Sequence, residues 1–283
     1  MAEIINGKAI SAAVKERIAA EVAELKNKGV TPGLAVIIVG NDPASKVYVG
    51  SKERTCIELG MYSEKYELPE STTNEELLAL VKKLNGNDKI HGILCQLPLP
   101  KHLDEKAVID AIDPEKDVDA FHVQNVGKIM IGDYDFLPCT PAGIMEMLNY
   151  SGIDPAGKHC VVIGRSNIVG KPMAMLMLHA NATVTICHSR TVNLKDICRE
   201  ADILVAAVGK AKFVTADMVK PGAVVIDVGM NRDENGKLCG DVDYANVEPI
   251  SSAITPVPGG VGPMTIAMLM QNTLTSAKRR AGK

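Results

Sequence analysis

Strand-length apolar runs alternate with stretches of helical periodicity along most of this chain. That alternation limits it to folds in which a parallel sheet is covered by helices. Ile10, Val14, Ile18, Val22 and Leu25 recur at three- and four-residue steps until Gly29, which predicts an opening helix. LAVIIVG (34–40) reads as a buried strand. A helix over 43–59, a strand over 62–68 and a helix over 74–84 follow, the last with Ser71, Thr72, Thr73 or Asn74 to cap it and Gly86 to close it. GILCQLPLP (92–100) is a strand running into a proline-punctuated loop.

Residues 112–143 carry Pro, Gly and Asp at turn spacing without a long amphipathic run, so the domain junction is placed there. A second alternation begins beyond it. Helices are predicted over 142–150 and 169–180 and near 194–200 and 216, and strands over 159–164, 182–187, 202–209 and 223–229. This is the order of a doubly wound nucleotide-binding domain. A final helix from 264 to about 278 has an apolar face (Ile266, Leu269, Met270, Leu274) and is expected to return to the first domain. The length of 283 residues also favours two domains over one.

A net charge of −3 lacks the basic surplus of a duplex-binding protein, so no nucleic-acid partner is expected. The seven cysteines are odd in number and scattered, several in strand-like runs, which predicts free thiols in a reducing compartment. CxxC, HExxH and HxxxH spacings are absent, and no metal site is expected. The start MAEIINGKAI has no basic region followed by a long apolar core, and the apolar runs are about strand length. A cytoplasmic protein that neither crosses nor binds a membrane is expected.

The strongest local signal is VVIGRSNIVGKP (161–172), a strand-to-helix turn with Gly164 and Gly170 six residues apart. The spacing differs from GxGxxG, but the mechanics match: a tight turn, open backbone amides and a helix N-terminus behind them, suited to a phosphate or serving only as a turn. At the end of the next strand, where an NAD site offers an acid to the ribose, stands His188-Ser189-Arg190. Arg190, with Arg165 and Ser166 on the turn, suits the 2′-phosphate of NADP; the alternative is a pair of solvated surface arginines.

In the first domain Ser45, Tyr48 and Lys52 share one face of the predicted helix over 43–59. Lys52 is either a solvated charge or a catalytic amine, and Tyr48 either packing or a platform for a flat heterocycle. Gln96 ends a buried strand before Pro98, where open α/β sheets place ligands, or else it satisfies loop backbone. Of the acids in KDVDAF, one is read as an acceptor for a polar ring and Asp117 as a turn cap. Cys139 is read as a buried or turn thiol, since no histidine partner can be placed beside it.

Ser45-x-x-Tyr48-x-x-x-Lys52, GILCQLPLP, KDVDAFH, PCTPAG (138–143), GRSNIVGKP, CHSRT (187–191) and PGGVGPMT (258–265) together resemble the bifunctional methylenetetrahydrofolate dehydrogenase/methenyltetrahydrofolate cyclohydrolase family in its bacterial short form. The resemblance runs essentially from end to end. It implies a homodimer of two-domain α/β chains with an active-site cleft between the domains. A folate-binding catalytic domain with a parallel sheet would span 1–138 and 264–283, and a Rossmann-type NADP-binding domain 139–263. It implies Lys52 as the catalytic lysine, Tyr48 as the stacking ring, Gln96 as the group tuning the lysine and Asp119 as the pterin anchor, with Pro258, Gly259 and Gly260 at the substrate. NADP would be held by Thr140, Gly164, Arg165, Ser166, Val169, Gly170 and Arg190. The family pattern has Gly after the aspartate where this chain has Ala120, whose methyl narrows the pterin pocket if the backbone there takes a positive φ.

The implied activity is NADP-dependent oxidation of 5,10-methylenetetrahydrofolate to the methenyl form, then hydrolysis to 10-formyltetrahydrofolate. Two alternatives share the architecture: a shikimate-type dehydrogenase, and a protein that senses NADP without turnover. Neither accounts for the grouping of Tyr48, Lys52 and Gln96.

Overall fold

A computed structural model describes residues 2–282. Along the chain these form β1 (Glu3–Ile4), α1 (Gly7–Asn27), β2 (Gly33–Val39), α2 (Pro43–Glu58), β3 (Tyr62–Leu68), α3 (Asn74–Asn85), β4 (Gly92–Cys95), α4 (Glu105–Ala111), α5 (Val123–Ile131) and α6 (Cys139–Tyr150). Then come β5 (His159–Ile163), α7 (Gly170–His179), β6 (Thr183–Cys187), α8 (Leu194–Arg199), β7 (Ile203–Ala206), β8 (Val224–Asp227), β9 (Asn231–Arg232), β10 (Leu238–Cys239), α9 (Tyr244–Val247), β11 (Ala253–Ile254) and α10 (Val261–Ala281). The chain divides into two units, one of the residues through Ala12 with Thr140–Thr265, the other of Ala13–Cys139 with the residues from Ile266 on.

The second of these units is built on a three-stranded parallel sheet in the order β3-β2-β4. All seven β2 residues are buried, as a central strand covered on both faces requires. Ala35, Ile37 and Val39 pack with Ile93 and with Leu77, Val81 and Leu84 of α3. Pro43 opens α2 behind the Asp42 cap, whose carboxylate accepts from Ser45 N at 2.7 Å. Thr73 and Glu76 close a reciprocal capping box at the start of α3. The α10 residues of this unit bury Leu269, Met270 and Leu274. Ser276 Oγ donates to His91 O (2.6 Å), and Asn272 Nδ2 donates to Val118 O and Leu137 O (2.8 Å each). The expected return of the last helix is therefore a set of named contacts.

The other unit is a six-stranded parallel sheet in the order β1-β11-β8-β7-β5-β6, with a β9-β10 hairpin. Four of its strands lie in the four runs predicted for the second domain. β1 and β11 have two residues each, too few for any periodicity to register. Their pairing, with Glu3 opposite Ala253 and Ile4 opposite Ile254, corrects the expectation for the N-terminus. Residues 2–12 group with this sheet and not with the first domain, where the sequence reading put them.

A second correction concerns 112–143, which the sequence describes as turn-rich. It holds the nine-residue helix α5, and α6 starts at Cys139 where the sequence suggests 142. The helix α5 is only nine residues long, carries Gly127 at its centre and lies among Pro, Gly and Asp turn residues, so its pattern is too short to stand out, and Val123, Val126, Met130 and Ile131 of it face solvent. Local chemistry sets its ends: His122 caps the start, accepting from Gln124 N, and Gly132 ends it at φ 79°. No helix of the described residues is long and apolar enough to cross a membrane.

Candidate active site

In the unit built on β3-β2-β4, α2 carries Ser45, Tyr48 and Lys52 one turn apart, while β4 delivers Gln96 just beyond its carboxyl end. Gln96 N donates to Ile37 O at 2.8 Å and its Nε2 to Leu97 O at 2.7 Å, which aims Oε1. Lys52 Nζ donates to that oxygen at 2.9 Å. A side chain as long as lysine normally keeps its ammonium in water, yet Lys52 is 7% exposed. Burial pulls its ammonium below the ordinary lysine value, against the opposing pull of the Asp119 carboxylate.

Asp119 is half-buried, and burial holds its carboxyl above the usual carboxylate range while the Lys52 cation and a hydrogen bond from Cys139 act the other way. Cys139 Sγ donates to Asp119 Oδ1 at 3.3 Å, and burial pushes that thiol well above its ordinary value. It is a protonated hydrogen-bond donor, not a nucleophile. Burial also raises the half-buried Tyr48 phenol. Asp117 behaves as a cap: its Oδ2 accepts from His122 N and from Asn125 Nδ2, both at 2.8 Å. Ala120 is fully buried at φ 58°, the left-handed region that the glycine of the family pattern accommodates and an alanine occupies at a cost of about 1–2 kcal/mol. The structure thus brings together Lys52, Gln96, Asp119 and Cys139, with Tyr48 one turn before Lys52.

In the unit built on the six-stranded sheet, the turn from β5 into α7 is closed by backbone crowding. Gly164 sits at φ 130°, and a Cβ there would lie 2.3 Å from Ala207 O. A Cβ on Gly170 would lie 2.2 Å from Gly164 O and 2.8 Å from Arg165 N. Only glycines let the turn fold this tightly onto the helix start. Ser166 Oγ accepts from Val169 N (3.1 Å) and Gly170 N (3.3 Å), which leaves its own proton to donate. β6 neighbours β5, so Arg165 and Arg190 follow adjacent parallel strands. Both are exposed, and among the described residues neither guanidinium has a carboxylate partner. Arg165 on the glycine turn before α7 and Arg190 just past β6 are thus two guanidinium groups that could meet a phosphorylated ligand.

The remaining predicted positions are tied into the same unit. Thr140 Oγ1 and Thr265 Oγ1 share a hydrogen bond of 2.9 Å. In the 258–260 loop Gly259 has φ 103° and its carbonyl accepts from Lys8 N at 3.1 Å, while a Cβ on Gly260 would lie 2.5 Å from Pro256 O. Among the described residues no three His, Cys, Asp or Glu side chains converge as metal ligands would.

Sequence reasoning missed two buried acids of this unit, Asp227 at the end of β8 and Asp241 after β10. Their only signal was the pair of carboxylates within apolar stretches, AVVIDVG and LCGDVDY.

Two family models match the chain: Tetrahydrofolate dehydrogenase/cyclohydrolase, catalytic domain, over residues 5–119, and Tetrahydrofolate dehydrogenase/cyclohydrolase, NAD(P)-binding domain, over residues 138–281. The chain is 64% identical over 280 residues to the bifunctional protein FolD of Acetivibrio thermocellus, covering 99% of this chain and 98% of the relative. Among solved structures it is similar to the bifunctional methylenetetrahydrofolate dehydrogenase/cyclohydrolase of Campylobacter jejuni, with a TM-score of 0.97 and 50% identity over 99% of this chain and 100% of that one. It is also similar to the Trypanosoma brucei enzyme complexed with NADP cofactor and inhibitor, at TM-score 0.95 and 41% identity over 99% and 98%. Shikimate 5-dehydrogenase of Thermus thermophilus, at TM-score 0.54 and 17% identity over 88% and 99%, shares the fold alone.

Proposed function

The chain belongs to the tetrahydrofolate dehydrogenase/cyclohydrolase family, and from that premise we propose that it oxidises 5,10-methylenetetrahydrofolate with NADP and hydrolyses the resulting methenyl form to 10-formyltetrahydrofolate. The observation that carries the reading is the buried Lys52 amine held at 2.9 Å by Gln96 Oε1. A cationic methenyl bridge takes up water, and the adduct must lose a proton before its ring opens. Lys52 is the base in this reading, and burial makes the neutral amine available nearer the working pH than in free lysine. Gln96 orients the amine, Tyr48 offers the ring on which the pterin stacks, and Asp119 accepts from the pterin's polar edge.

The glycine turn fits NADP: Gly164 and Gly170 supply the close backbone approach, with Val169 directly before Gly170, and Thr140 is assigned to the same cofactor from the family likeness. Arg165, Ser166 and Arg190 supply the charge and donors for a 2′-phosphate. Bound there, NADP provides the acceptor for the hydride that leaves the methylene carbon. The loop of Pro258, Gly259 and Gly260 is assigned to the folate. The family likeness supports a cytoplasmic homodimer acting on tetrahydrofolate derivatives. A net charge of −3 offers no general attraction to nucleic acid.

The test is a stopped assay of the purified chain in which NADPH and methenyl-folate absorbance are followed together. NADPH should form in step with loss of methylenetetrahydrofolate, and added methenyltetrahydrofolate should decay enzymatically without NADP. Absence of both signals defeats the reading.

A further inference from the structure

The loop that follows β7 lies directly against the glycine turn, because Gly164 has room for no side chain beside Ala207 O and Ala207 N donates to Ile163 O at 2.8 Å. The next three backbone amides all point at one side chain. Val208 N (2.6 Å) and Gly209 N (3.0 Å) donate to Asp241 Oδ2, and Lys210 N (2.8 Å) donates to Asp241 Oδ1, which also accepts from Asn231 Nδ2 at 2.9 Å. Asp241 is completely buried, and its charge is met by these four donors.

Asp227 seats it in turn. Asp227 Oδ1 accepts from Asp241 N (2.8 Å) and Gly229 N (2.9 Å), and Oδ2 accepts from Val242 N (3.0 Å). The packing leaves no slack: a Cβ on Gly229 would meet Asp241 Oδ1 at 2.3 Å, and one on Gly240 would meet Asp227 Oδ2 at 1.8 Å. Four elements, the ends of β7 and β8 and the two strands of the β9-β10 hairpin, are thus locked through two carboxylates at the carboxyl end of the sheet, where open α/β folds bind ligands.

We propose that Asp241, seated by Asp227, is a positioning residue for the dinucleotide site, whose carboxylate holds the 208–210 backbone as the fixed wall opposite the Gly164 turn. The proposal rests on the reading of that turn as the NADP cradle. An anion that gathers three successive amides turns a flexible glycine-containing loop into a rigid surface, so the cost of ordering it is met in folding and not in binding. Lys52 and Gln96 belong to the other unit and need no NADP for hydrolysis, so this wall bears on one activity only.

The test is the NADP dissociation constant by titration calorimetry, measured beside cyclohydrolase activity on methenyltetrahydrofolate. Asp241→Asn keeps the shape but loses the charge and turns its amide donor either toward Val208 N and Gly209 N or toward Lys210 N and Asn231 Nδ2. Asn231→Ala removes one side-chain donor and leaves the carboxylate in place. Asp241→Asn should weaken NADP binding about tenfold or more and Asn231→Ala about two- to threefold, each with cyclohydrolase activity within twofold of wild type. Should Asp241→Asn fail to fold, Asn231→Ala decides alone. Wild-type NADP affinity in both soluble variants, or parallel loss of both properties in Asn231→Ala, overturns the proposal and leaves the assigned function standing. A wild-type chain that binds no NADP overturns both.

Discussion

Lys52 is a residue whose environment does the chemical work. Burial favours the neutral amine, while the Asp119 carboxylate pulls toward the ammonium. The sign of one change follows from this balance. The Asp119 carboxylate stabilises the Lys52 cation, so Asp119→Asn should lower the amine pKa further, and the rising limb of the cyclohydrolase pH profile should move to lower pH even as the rate drops through lost pterin contact. A limb that stays in place or moves to higher pH would show that the carboxylate does not act on the amine. The spacing of Tyr48 and Lys52 was legible in the sequence because it follows from helical geometry alone. Cys139 as the hydrogen-bond donor to Asp119 was not, since that contact joins residues twenty positions apart.

Among the elements, the turn between β5 and α7 shows most directly how sequence specifies a site. Gly164 lies at a φ that L-residues rarely adopt, with Ala207 O where its Cβ would be. Gly164→Ala must shift backbone on one side or the other, and we expect a loss of about 1–3 kcal/mol in denaturant unfolding together with weaker NADP binding. Unchanged stability and affinity would mean the turn is looser than described. The long strands and helices were readable in advance because each repeats its pattern over five or more residues. β1, β11 and the β9-β10 hairpin were not, for with two residues per strand they are defined only by their partners, and the nine-residue α5, with Gly127 inside it, was lost among the turn residues around it. The residues of the PGG loop were legible as a motif, whereas their packing against Gly7 and Lys8 depends on the N-terminal strand that no pattern announced.

At the scale of the whole molecule, the pH dependence of stability carries a further prediction. His91 is buried and its Nδ1 accepts from Gly33 N at 3.1 Å, a role open only to the neutral ring. Burial, then Arg280 and Lys116, pull its pKa from 6.5 to about 4. The unfolded chain therefore binds the proton first as the pH falls, so the contribution of His91 is fully present above 6.5 and is lost progressively down through about 4. Asp227 runs the other way: burial raises it from 3.8 to about 6, and its protonated form favours the fold until the pH rises through that window. Replacing His91 by Gln should remove up to about 3 kcal/mol of the acid sensitivity between pH 7 and 4, read as the difference between variant and wild-type unfolding free energies. Equal pH slopes in the two proteins would exclude this residue as the source. The claim on which everything else depends is that one chain runs two reactions and only the second needs the buried amine. Lys52→Met should therefore abolish hydrolysis of methenyltetrahydrofolate, while the protein still folds and still binds NADP. A Lys52→Met protein that hydrolyses methenyltetrahydrofolate at the wild-type rate would contradict the account.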